Sequence, residues 1–94
     1  MPRRTASSRR RGHSGTLYTR SVVCAMFGIT EHQLIFWERE ELIGPVAKGR
    51  EHEPLYDERV LRRIRLIRTL AEELEVNLAG IEVILNLLDR MDPT

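Results

Sequence analysis

Aromatic residues make up only 5% of this 94-residue chain, and it has a single cysteine. A lone cysteine excludes an intramolecular disulfide framework and points to a reducing compartment. Cys24 sits among Val22, Val23, Ala25 and Met26, with no adjacent base to hold a thiolate, so it reads as a small buried hydrophobe. No apolar run approaches the roughly 20 residues of a membrane span, and no apolar signal segment follows the N-terminal arginines. A cytoplasmic protein with no membrane partner is therefore expected. His52 stands between Glu51 and Glu53 without a second His or Cys at ligand spacing, which argues for a solvated loop and against a metal site. His32 next to Glu31 has no nucleophile, glycine-rich phosphate loop or metal set around it, so neither an enzyme nor a cofactor is expected.

What the chain does have is charge, unevenly placed. Residues 1–15 hold Arg3, Arg4, Arg9, Arg10 and Arg11 and no acids, giving +5, whereas the other ten basic and fourteen acidic residues give −4. The first fifteen residues, rich in Arg, Ser and Gly, have too little to bury and read as a disordered basic tail. Such a tail can lie along phosphates and adds affinity without sequence information. Residues 16–91 are long enough for one small core and read as one domain.

The order of elements follows from local punctuation. After the short extended segment Leu17-Tyr18-Thr19, Ser21 is the expected cap of a helix from Val22 to about Phe27, with Val22, Val23, Met26 and Phe27 toward the core. Gly28 closes that helix, and Thr30 with Gln33 stands at capping-box spacing for the next, which Gly44-Pro45 ends. Leu34, Phe36, Trp37, Leu42 and Ile43 should seat this second helix on its neighbours. Residues 46–56 read as a short hairpin or loop pinned by Leu55 and Tyr56. Asp57 caps the longest helix, Glu58 to about Glu75, whose stripe is Val60, Ile64, Ile67, Leu70 and Leu74. Its arginines come first and its acids last, against the helix dipole, so the arginines need either an external anion or acidic partners at Glu38 to Glu41. Asn77 caps a last helix that runs through about Arg90.

Helix, tight glycine turn, helix, short wing and two further helices make an all-α class, a small winged helix-turn-helix domain of about four helices with a short wing hairpin. The stretch from Thr19 through GITEHQLIFWEREELIGP resembles the winged helix-turn-helix of the MerR superfamily. The matching positions are Gly28, Ile29, Thr30, Leu34, Trp37, Glu38, Leu42, Ile43 and Pro45, and Tyr56, Leu61 and Ile64 match the segment after the wing. NLAGIEVILNLL is similar to the small heat-shock-repressor branch and to the CbpM-type chaperone-modulator branch. The resemblance covers about residues 17 to 90. Two positions depart from the DNA-binding members: Ile35 and Pro54 stand where those members carry arginines that approach the phosphate backbone.

Two readings follow. In the first, the chain is a small regulator that binds double-stranded DNA: Thr30, His32 and Gln33 at the start of the second helix approach base edges, and Arg39, Lys48, Arg50, Arg62 and the tail residues Arg9, Arg10 and Arg11 hold phosphates. In the second, implied by the CbpM-type resemblance, it modulates a J-domain co-chaperone, with Glu38, Glu40 and Glu41 meeting a basic face and Ile81, Ile84, Leu85 and Leu88 supplying apolar contact. A homodimer through the C-terminal helix is compatible with either.

Overall fold

Thr19, not Ser21, starts the first helix in the computed structural model, which describes residues 15–91. The basic tail, with Arg9, Arg10 and Arg11, lies outside the described residues. Thr19 is already extended as the end of strand β1 (Tyr18–Thr19), and its side chain accepts the Val22 N–H at 3.3 Å, while the Ser21 hydroxyl turns back to within 3.3 Å of the Thr19 oxygen. Helix α1 (Arg20–Phe27) buries Val23 and Cys24 and leaves Val22 and Met26 exposed, which corrects the core face expected for it. Gly28 closes it at φ 66°, ψ 34°, a left-handed conformation that a side chain would strain.

Thr30 caps α2 (Glu31–Arg39), accepting the Gln33 N–H at 3.0 Å. The helix then stops five residues before Gly44. Glu41 takes the left-handed conformation at φ 62°, its N–H bonds the Glu38 carbonyl and the Leu42 N–H bonds the Trp37 carbonyl, both at 3.0 Å. This paired closure is a Schellman turn built on glutamate, and it drops Leu42 and Ile43 into the core. The breakers Gly44-Pro45 lie in the connection that follows.

The wing is an antiparallel pair, β2 (Ala47–Lys48) and β3 (Pro54–Tyr56), joined by a turn at Arg50–His52. β1 pairs with the other edge of β3, Tyr18 opposite Tyr56, to give a three-stranded sheet in the order β1, β3, β2. Asp57 caps α3 (Glu58–Arg68) by accepting the Val60 N–H at 3.2 Å. Val60, Ile64, Ile67 and Leu70 are buried as the stripe requires, but Leu74 is 64% exposed. The cause is a π-helical turn at Thr69–Glu73, whose wider winding carries Leu74 off the stripe. Asn77 then accepts the Gly80 N–H at 2.9 Å and starts α4 (Leu78–Met91), which docks through Ile81 and Leu85.

The described residues thus form the expected small winged helix-turn-helix: four α-helices around one core, with a short sheet at one edge. None of these helices is long and apolar enough to cross a membrane.

Candidate nucleic-acid interface

Helix α2 has two faces with different tasks. Leu34 and Trp37 are buried, while Glu31, His32, Gln33, Phe36 and Arg39 are exposed. At about 100° per residue, His32, Phe36 and Arg39 fall within an arc of about 60° opposite Leu34, with Gln33 beside them. Phe36 was expected to dock on the domain. It is instead 45% exposed and in neither the core nor the shell packed on it.

The inner edge of α2 is bolted down by a cluster that no local pattern announces. Glu38 accepts hydrogen bonds from the Tyr56 hydroxyl and from Arg20, the latter at 3.0 Å, and Arg20 also donates to the Tyr56 oxygen at 3.2 Å. Three elements meet there: the start of α1, the last turn of α2 and wing strand β3. Burial and the hydrogen bond to Glu38 push the Tyr56 phenol up to about 12, so it stays a neutral donor. The partners lie 18 and 36 residues apart in the chain, beyond the reach of helix or strand periodicity.

The residues assigned to DNA are distributed as follows. The Thr30 oxygen is committed to its cap, whereas His32, Gln33 and Arg39 are exposed on α2, Lys48 and Arg50 on the wing and Arg62 on α3. None of Arg39, Lys48, Arg50 and Arg62 has an ion-pair partner among the described residues. Arg62 stands apart from the others, on the rim of an open groove of about 800 Å³ lined also by Leu66, Leu88 and Met91. Ile35, in the position of a missing backbone arginine, is half-buried, and Pro54 opens β3.

The protein-binding set does not assemble into one free surface. Glu38 is sequestered by Arg20 and Tyr56, and Ile81 and Leu85 are core residues at 3% and 2% exposure. Ile84 packs partly against that core, Glu40 is half-buried, and only Glu41 and Leu88 are exposed. An acidic patch on α2 and an apolar face on α4 therefore give way to an ion-paired last turn and an ordinary docking seam. The α3 arginines do not pair with Glu38 to Glu41 either. Arg63 donates to the Leu42 carbonyl and pairs with Asp89 at 2.7 Å, and Arg68 donates to the Phe27 carbonyl.

Cys24 is buried and its thiol is pushed up, mainly by burial. His52 is exposed in the wing turn, and no cluster of three metal-ligating side chains exists among the described residues.

Comparison with known proteins places this arrangement. No curated protein matches the chain. Its fold is similar to that of HiNmlR, a MerR family regulator lacking the sensor domain, in a crystal structure bound to promoter DNA, with a TM-score of 0.70 and 19% identity over 78% of this chain. The match covers 55% of that protein, so the present chain spans about half its length. The family model for MerR HTH family regulatory proteins matches residues 18–88, and the chain belongs to that family.

Proposed function

We propose that this protein is a DNA-binding transcriptional regulator, with α2 entering the major groove and the wing and basic tail resting on phosphates. The observation that carries the proposal is the outward stripe of α2. His32, Gln33 and Arg39 project from a helix whose opposite face is locked to α1 and to the wing, and their side chains make no hydrogen bond or ion pair within the described residues. A rigid helix with polar side chains aimed outward is the arrangement that reads base edges. Gln33 is suited to adenine, which offers it a donor and an acceptor together. Arg39, Lys48 and Arg50 supply backbone contacts that Ile35 and Pro54 do not, and Arg62 is a further candidate. Family membership and the fold shared with a promoter-bound regulator support the same reading.

Glu51 and Glu53 are exposed and follow Arg50 in the chain, and carboxylates in the wing weaken phosphate attraction there. More of the affinity then has to come from base contacts and from the tail. No observation favours a J-domain co-chaperone. A homodimer through α4 would cover its exposed Val83, Leu87 and Met91, and light scattering with and without DNA reads that out.

The test is fluorescence anisotropy with duplex DNA between about 50 and 200 mM salt, the range over which phosphate contacts weaken steeply. Binding at low salt that falls log-linearly with salt is expected, and each of Arg39→Ala, Lys48→Ala and Arg50→Ala should lower the slope by about 1. Absence of binding at the lowest salt overturns the proposal.

A further inference from the structure

Of the five aromatic side chains, Tyr18 and Phe27 are half-buried, Trp37 and Tyr56 are buried, and Phe36 alone is exposed. Its place is the centre of the outward stripe of α2, four residues after His32 and three before Arg39. A phenyl ring held in water between two polar residues gains nothing for the fold. It also has no hydrogen-bonding group, so among the features of a major-groove edge it can engage only the apolar one, the 5-methyl of thymine.

We propose that Phe36 is a specificity-determining residue that packs on a thymine methyl. The inference rests on the major-groove reading of α2 above and extends it to a base. Gln33 precedes Phe36 by three residues, about 4.5 Å along the helix axis. That is a little more than the base-pair rise of about 3.4 Å. The preferred site therefore carries a thymine one or two base pairs from the adenine that Gln33 contacts. Arg39, one turn further on, reaches the backbone beyond it. Because Ile35 leaves α2 short of one cation, an apolar base contact adds selectivity without adding indiscriminate phosphate affinity.

The experiment uses the full chain. Sites are first enriched from a random duplex pool, and the winning duplex is then synthesised with deoxyuridine replacing thymine at single positions, which removes the methyl and leaves every hydrogen-bonding group in place. Unaltered protein should bind the duplex substituted at one position next to an A·T pair about threefold to tenfold more weakly. Phe36→Ala should bind both duplexes equally, at the weaker affinity, and Phe36→Leu should keep part of the difference. Phe36 is exposed, so both variants should melt like the parent; if either fails to fold, the uracil comparison on unaltered protein decides alone. Enrichment of a site followed by equal binding to thymine and uracil duplexes overturns this inference and leaves the DNA-binding proposal standing. An equal loss on both duplexes in Phe36→Ala overturns it too, since the ring then acts without the methyl. Failure of the pool to enrich any site overturns both proposals together.

Discussion

Helix α3 carries five arginines and α2 carries one, yet it is the crowded helix whose charge is mostly used internally. Arg68 donates to the Phe27 carbonyl at the C-terminal end of α1 and pairs with Glu72 at 3.3 Å. Arg65 lies over the Phe27 ring, 5.8 Å from its centre. Arg63 donates to the Leu42 carbonyl at 2.5 Å and grips both oxygens of Asp89, and Arg59 lies 3.7 Å from Asp57. The helix does not oppose its dipole as its residue order suggests: α3 has Glu58 in its first turn and Arg65 and Arg68 in its last, while Glu72 and Glu73 fall in the π turn beyond it. Only Arg62 of the five lacks a partner among the described residues. On α2 the distribution is reversed: Glu38 is committed on the inner side, and the outer side is free. The density of charge along a helix thus says little about an interface. The position of each charge relative to available carbonyls and carboxylates says much more.

The comparison breaks most visibly at Glu38, the one α2 charge that serves the fold. Glu38→Ala leaves the Tyr56 hydroxyl and Arg20 without their carboxylate in a half-buried setting, and a loss of about 2–3 kcal/mol is expected. For a domain of this size that lowers the melting temperature by roughly 10 °C or more, measurable by circular dichroism. Tyr56→Phe combined with Glu38→Ala should cost less than the sum of the two, because both remove one shared contact. Strict additivity would show that the cluster does not couple the wing to α2.

The same cluster predicts an alkaline signature. The Tyr56 phenol is raised from 10.0 to about 12, so its proton is held more tightly in the fold than in the unfolded chain. A group with a raised folded value contributes stability fully below its unfolded value and loses it as pH rises through the folded one. Stability should therefore decline between pH 10 and about 12, by an amount on the order of 2 kcal/mol, and Tyr56→Phe should remove most of that decline. Denaturant melts at several alkaline pH values measure it; an equal decline in Tyr56→Phe would assign the loss to other groups.

A smaller effect separates two neighbours on α3. Arg63→Ala gives up the Leu42 carbonyl and the Asp89 pair, the latter half in solvent, and should cost about 1–2 kcal/mol. Arg62→Ala should stay within about 0.5 kcal/mol. Urea melts of the two variants suffice, and equal costs would mean that the internal contacts of Arg63 contribute nothing.

These contrasts also show which parts of the molecule were legible in its residues. The caps were, because capping is local: Thr30, Asp57 and Asn77 each accept the N–H three residues on, and Gly28 is left-handed. The α3 stripe was legible up to Leu70 and failed at Leu74, since a π turn changes the period and leaves no residue-level mark. In α1, apolar residues surround the axis, so periodicity could not choose Cys24 over Val22 and Met26. Gly44-Pro45 is the stop that the residues of α2 announce, but burial of Leu42 and Ile43 brings the turn forward to Glu41. On the candidate site, His32 and Gln33 followed from the position of the cap. The Arg20, Glu38 and Tyr56 cluster did not, being made by side chains far apart in the chain. The chemistry of Phe36 suggests that it seats the helix on its neighbours, whereas its spacing from Leu34 and Trp37 puts it on the other side of the helix.

The finest test of the comparison is a residue that should matter to DNA and not to the fold. Arg39 is the last residue of α2, exposed, one position from Glu38, and without an ion-pair partner among the described residues. Its charge near the helix C-terminus favours the dipole by only a few tenths of a kcal/mol. Arg39→Ala should accordingly leave the melting temperature nearly unchanged. Under the proposed function it should weaken DNA binding several-fold at low salt, with the deficit shrinking as salt rises, because a backbone contact is electrostatic and screened. If Arg39→Ala instead destabilised the domain as much as Arg63→Ala, α2 would be spending its outer charge on the fold as α3 does. The distinction between the two helices would then collapse, and with it the argument that an unpaired outer face marks the reading helix.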